Sequence, residues 1–262
     1  MQYVLNLGLI LLFTKALGMV SRKFKLPQVV GAILAGLFLG PAMLNIITET
    51  EFIHDMSKLG VILLMFSAGI GTDLEAFKKT GKVSLVVAIA GVLIPLIGGF
   101  LITLIASRVG LINTSAMNEP EFLQYLFIGT ILTATSVSIT VEALKEMGKL
   151  NSEVGNTILA SAIIDDVLGI VVLTVVLGMA DTTVSLWIVL LKILAFLVVV
   201  GALSVIFDKL FDRYQRIFHH DKRRFITFAL VFCFIMSYIS ETYFNVADIT
   251  GAFMAGLAIS GT

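Results

Sequence analysis

The chain alternates long apolar runs with short polar connections. The apolar segments fall at about 3–21, 27–47, 57–71, 83–107, 122–145, 153–179, 185–207, 224–243 and 247–262. Most approach the ~20 residues with which an α-helix crosses ~30 Å of hydrocarbon. Strand-like alternation is absent, which argues against a β-barrel. The third segment is short, and the ninth runs to the last residue. Glycine recurs within the segments, as expected where helices pack closely in lipid. The pattern predicts an all-α polytopic membrane protein.

Basic residues crowd alternate connections. Arg22, Lys23 and Lys25 follow the first segment, and Lys78, Lys79 and Lys82 follow the third. Lys145 and Lys149 follow the fifth. Lys209, Arg213, Arg216, Lys222, Arg223 and Arg224 lie between the seventh and eighth. Arg108 is the clear exception. The positive-inside rule then predicts that the crowded connections are cytoplasmic and the N-terminus is outside. Lys15 and Lys192, inside segments, are expected to snorkel toward an interface. The basic run from 209 to 224 is expected to serve topology and contact with anionic lipid. His219 and His220 within it offer a pH-sensing alternative. Nucleic acid is not an expected partner.

Composition agrees with the pattern. Hydrophobic residues make up 58% and charged residues 14%, against about 25% charged in soluble domains. That excludes a soluble globule carrying one anchor. The net charge of zero identifies no partner. Cys233 is the single cysteine, so no disulfide framework forms within the chain. The N-terminus lacks a basic n-region and a small-residue cleavage site, and reads as a membrane helix, not a removed signal.

The chain also repeats itself. Residues 27–40 read PQVVGAILAGLFLG and residues 247–260 read ADITGAFMAGLAIS. Gly31-Ala32 aligns with Gly251-Ala252, and Ala35-Gly36-Leu37 with Ala255-Gly256-Leu257, at an offset of 220. The preceding segments align too. By the charge rule the two copies run in opposite directions, a feature of secondary transporters. Small-residue motifs also recur for packing alone. The expected organisation is a first repeat over 1–180, a linker helix and basic loop over 181–223, and the start of a second, inverted repeat over 224–262. On this reading the second copy stops after two helices, so its remainder is expected beyond Thr262.

Two adjacent acids stand out. Asp165 and Asp166 lie near the midpoint of the run from Thr157 to Leu177, which has no other charge. A charge at mid-membrane costs roughly 2.5–3.5 kcal/mol on insertion scales. Neighbouring acids also disfavour each other's ionisation. An intramembrane acid pair is by default an ion or proton site. One segment earlier, Thr133, Thr135, Ser136, Ser138 and Thr140 crowd eight positions. Such hydroxyls can bond back to the preceding turn. The alternative is a locally unwound helix whose carbonyls and half-helix ends serve a cation. Ser161 lies one turn before the pair. Hence Asp166 and Asp165, with oxygens of Thr133, Thr135, Ser136 and Ser161, form the candidate cation and proton site.

These stretches resemble a known family. TATSVSIT, then EALKEMGKLNSEVGNTILASAIIDDVLGIVVL, is similar to the core of bacterial sodium/proton antiporters of the monovalent cation:proton antiporter-2 family. PQVVGAILAGLFLGP resembles that family's second helix. The resemblance covers essentially the whole chain. It implies an inverted-repeat fold with broken helices, a core domain and a dimerisation domain, and a homodimer at full length. It implies that Asp166 is the main carrier and that Asp165 pairs with a lysine of the second repeat. On this resemblance that lysine and the second broken helix are expected beyond Thr262.

The residues fit such an exchange. Na⁺, Li⁺ or K⁺ suits carboxylate, hydroxyl and carbonyl oxygens. The expected metal ligands are Asp166 and Asp165, with the ion as cargo and no cofactor. Low dielectric and a like charge favour a protonated carboxyl, so a proton can compete with a cation for one site. The pair titrates as a unit. Competition plus alternating access gives antiport across the bacterial plasma membrane. A K⁺/H⁺ antiporter or potassium efflux system of the same architecture is an alternative. An intramembrane aspartyl protease is a remote one, since its carboxylates must face each other across a substrate. Adjacent helical residues point about 100° apart. An anion symporter would require buried basic groups, which the acidic centre argues against.

Overall fold

The computed structural model describes residues 2–72, 74–112, 120–180, 186–217 and 222–260. Among the described residues all regular structure is helical: α1 Gln2–Lys23, α2 Gln28–Leu39, α3 Glu51–Ile70, α4 Leu74–Arg108, α5 Glu121–Ile131, α6 Val137–Glu146, α7 Glu153–Ala180, α8 Leu186–Ile217, α9 Lys222–Phe244 and α10 Asp248–Ser260. Six of these contain stretches long and apolar enough to cross a membrane, in α1, α3, α4, α7, α8 and α9. The chain is therefore an all-α, multi-pass membrane protein. His219 and His220 lie outside the described residues.

Several segments differ in extent from the hydropathy pattern: the third is not short but the 20-residue α3 Glu51–Ile70, and the fourth begins already at Leu74. The second is helical only over Gln28–Leu39, because Gly40 precedes Pro41. A residue before proline is pushed out of the α region, and Gly40 is extended, with ψ −179°. The chain then folds back, with the amides of Ile46 and Ile47 donating to the Leu39 carbonyl at 2.9 Å. The fifth segment is two helices, α5 and α6, separated by residues 132–136. The seventh continues as α8 to Ile217, so much of the basic stretch is helix and not loop. Phe207, Leu210, Phe211 and Tyr214 keep the helical spacing of apolar residues there.

Small residues set the helix crossings. α3 and α10 pack along each other. A Cβ at Gly69 would meet the Phe253 carbonyl, and one at Gly256 would meet the Phe66 carbonyl. Only glycine allows backbones this close. α10 is buried along most of its length between α3, α9 and α8. Phe253, Met236, Met65 and Phe196 fill the apolar centre around it. α4 packs along α7 and against α5.

The pairs α1–α2 and α9–α10 share local detail. Lys25 and Asn245, at an offset of 220, both take positive φ, 59° and 56°. The Val30 amide donates to the Pro27 carbonyl at 3.1 Å, and the Thr250 amide to the Ala247 carbonyl at 3.0 Å. Gly31 sits against Leu17 and Gly18 of α1, while Gly251 sits against Met236 and Ser240 of α9.

Candidate antiport site

α7 carries both acids to where it meets α10 and the gap between α5 and α6. Asp165 is buried, 7% exposed, and Asp166 is half-buried. Thr135, in the gap between α5 and α6, donates its hydroxyl to Asp165 Oδ2 at 2.6 Å. Asp165 Oδ1 is buried without a hydrogen-bond partner among the described residues. Thr250 of α10 donates to Asp166 Oδ2 at 3.3 Å. The two carboxylates thus engage hydroxyls from two different segments. Their divergence is that of adjacent residues on one helix, and they do not face each other as a protease dyad would.

The other hydroxyls of the cluster divide between two behaviours. Thr133 is buried and donates to the Thr130 carbonyl at 2.8 Å. Ser161 donates to the Ile158 carbonyl at 2.8 Å. Both bond back to their own turn, the usual outcome for hydroxyls in a membrane helix. Ser136 is the N-cap of α6 without a side-chain capping bond. Its carbonyl accepts the Thr140 hydroxyl at 3.1 Å. So the structure joins Thr135 to Asp165, not to Asp166, and gives Thr133, Ser136 and Ser161 no hydrogen bond to either acid.

Two neighbours lie outside the residues that type and spacing singled out. Thr250 is one, a hydroxyl in the apolar motif of α10 and only 2% exposed. Its signal was available: it is the hydroxyl-for-valine difference from Val30 in the repeat. Gly91 of α4 is the other, where an added Cβ would lie 3.8 Å from Asp165 Oδ1. Pro95 sits inside α4 and has no N–H, so the Gly91 carbonyl, four residues earlier, loses its intrahelical donor. Among the described residues no group of three or more His, Cys, Asp or Glu side chains could hold a metal ion. The donors around the pair are oxygens, which suit hard cations.

Further acids have other work. Glu146, at the end of α6, accepts the backbone N–H of Gln28 at 2.6 Å. Neither Glu142 nor Glu146 forms an ion pair with Lys145 or Lys149 among the described residues. Lys192 donates to Asn245 Oδ1 at 3.0 Å, so this lysine ties α8 to the α9–α10 turn.

Comparison with known proteins identifies the family. The family described as sodium/hydrogen exchanger, transmembrane, matches residues 8–262. The chain belongs to the sodium/hydrogen exchanger family. Within that family it is 38% identical over its full length to a probable Na⁺/H⁺ antiporter, GerT, of Bacillus cereus, spanning 66% of that protein. It is 36% identical to a Na⁺/H⁺ antiporter of Enterococcus hirae, again over its full length and 66% of the relative. It is 34% identical to the Na⁺/H⁺-K⁺ antiporter GerN of Bacillus cereus, over 64% of that relative. The chain therefore spans about two thirds of the length of these exchangers.

Proposed function

We propose that the full-length protein exchanges monovalent cations for protons across the bacterial plasma membrane, by alternating access at the Asp165–Asp166 pair. One observation carries this reading: two adjacent carboxylates in the middle of an apolar helix, each taken up by a hydroxyl from a different segment. Burying such a pair in a lipid-crossing helix is expensive. A bound cation or proton offsets that cost, and the empty charged site does not cross. The names of the relatives, Na⁺/H⁺ antiporters and a Na⁺/H⁺-K⁺ antiporter, support the class of cargo. The K⁺ in one name keeps potassium beside sodium as a candidate ion. Asp166 is the main carrier in this reading and Asp165 its coupled neighbour. Thr135 supplies an oxygen beside them, and Thr133, Ser136 and Ser161 belong to the same proposed cation site.

The matched hairpins α1–α2 and α9–α10 support an internal repeat, and the charge pattern supports its inversion with the N-terminus outside. Inverted repeats rocking about a fixed midplane site are a known route to alternating access. A homodimer is the expected assembly at full length. The test is proton flux driven by Na⁺, Li⁺ or K⁺ gradients in proteoliposomes holding the full-length protein. Flux is expected to rise with one of these cations, to need higher cation concentration as pH falls, and to vanish in Asp166→Asn. Flux that survives Asp166→Asn removes this carboxylate from the mechanism.

A further inference from the structure

Thr250 links α10 to α7, two helices that also share α8 as a neighbour. α10 runs along α3 and α9, and α7 runs along α4 and against α5 and α6. α7 and α10 meet through side chains, and Thr250 Oγ1 on Asp166 Oδ2 at 3.3 Å is a polar contact between them. Around it the contact is apolar, with Leu159, Ala162 and Ile163 of α7 in the same cluster as Phe253. A buried hydroxyl in such a setting is costly unless bonded, and Thr250 is 2% exposed. The corresponding position in the first repeat is Val30. Threonine and valine share a shape and differ by the hydroxyl. Packing of α10 therefore does not explain the hydroxyl, whereas the Asp166 carboxylate does.

A hydroxyl has one hydrogen to donate and two lone pairs to offer. Facing an empty carboxylate it donates. Facing a carboxylate that holds a cation, it can turn and present oxygen to the ion. Resting on the exchange reading above, we propose that Thr250 is a cation-selecting partner of Asp166, donating to the empty carboxylate and ligating the ion when the site is loaded. The site would then be shared between α7 and α10, and complete only while the two helices lie in this register.

The test compares wild type, Thr250→Val and Thr250→Ser in the full-length protein, reading both half-saturation and maximal rate of Na⁺- and K⁺-driven proton flux. Thermal unfolding with and without added NaCl reads binding independently of transport. Thr250→Val is expected to raise the half-saturation for the preferred cation about tenfold, the lost oxygen ligand to the ion outweighing the lost hydrogen bond to the empty carboxylate. It should also shrink the NaCl-induced rise in unfolding temperature, while Thr250→Ser restores both. A half-saturation unchanged in Thr250→Val overturns the proposal. So does a fall in maximal rate alone, or a loss that serine fails to rescue, since packing would explain either. Absence of any cation-driven flux in wild type overturns instead the exchange reading itself, and this inference with it.

Discussion

The backbone N–H of Gln28 donates to Glu146 Oε2 at 2.6 Å, joining residues 118 positions apart. Gln28 opens α2 just after Pro27, where helix amides have no intrahelical acceptor. Glu146 closes α6 and supplies both an acceptor and a negative charge to that N-terminus. Removing it in Glu146→Ala is expected to cost about 1–2 kcal/mol of stability. Glu146→Gln keeps an acceptor and should cost less. Thermal unfolding of the purified variants in detergent checks both. Equal losses in the two variants would mean that charge, not the hydrogen bond, is what Glu146 contributes.

Thr135 engages Asp165 from the interruption between α5 and α6. Its side chain is exposed, so its removal leaves the core intact. Thr135→Val takes a donor from a buried carboxylate whose other oxygen already lacks a partner. Such losses cost about 1.5–3 kcal/mol, so cation-driven flux should fall at least tenfold and the unfolding temperature by several degrees. Thr135→Ser should retain most activity. A valine variant with normal flux would separate Thr135 from the site.

Two carboxylates permit unequal exchange of charge. Each net charge moved across the membrane is worth about 2.3 kcal/mol per 100 mV. Flux by the full-length protein should therefore respond to an imposed potential, set with a potassium gradient and valinomycin in Na⁺-loaded vesicles. Asp165→Asn leaves Asp166 as the single acid of the pair and should weaken that response. Wild-type flux indifferent to potential would rule out electrogenic exchange.

Gly36 and Gly256 occupy the same position of the repeated motif and differ in surroundings. Nothing lies within 4 Å of a Cβ at Gly36, while one at Gly256 would collide with the Phe66 carbonyl and approach Gly69 Cα at 3.0 Å. Gly256→Ala is expected to destabilise by several kcal/mol through forced separation of α3 and α10. Gly36→Ala should change stability by about 1 kcal/mol or less, in the favourable direction. Size-exclusion profiles and unfolding temperatures of the two variants decide. Similar behaviour would mean that the α3–α10 crossing is not held as tightly as the structure has it.

The membrane helices were legible because lipid-crossing segments announce themselves by length and hydropathy. The limits of α2 were not, since hydropathy stays high through residue 47 while Gly40-Pro41 ends the helix. The interruption at 132–136 was signalled by its crowded hydroxyls. Which hydroxyl reaches which acid was not. Thr133 and Ser161 satisfy themselves within their own turns, and Thr135, freed from helical geometry, reaches across to α7.

The sequence by itself determined an all-α membrane chain, an acid pair at the centre of one helix, and two copies of a glycine motif. Each of these follows from residue type and spacing along one element. Tertiary structure alone decided that Thr250 lies at Asp166 and Glu146 at Gln28, and that Gly256 is a crossing while Gly36 is open. Those outcomes depend on which helices meet and on how closely their backbones approach. The same Ala-Gly-Leu serves both copies, and only the neighbour of each helix distinguishes them.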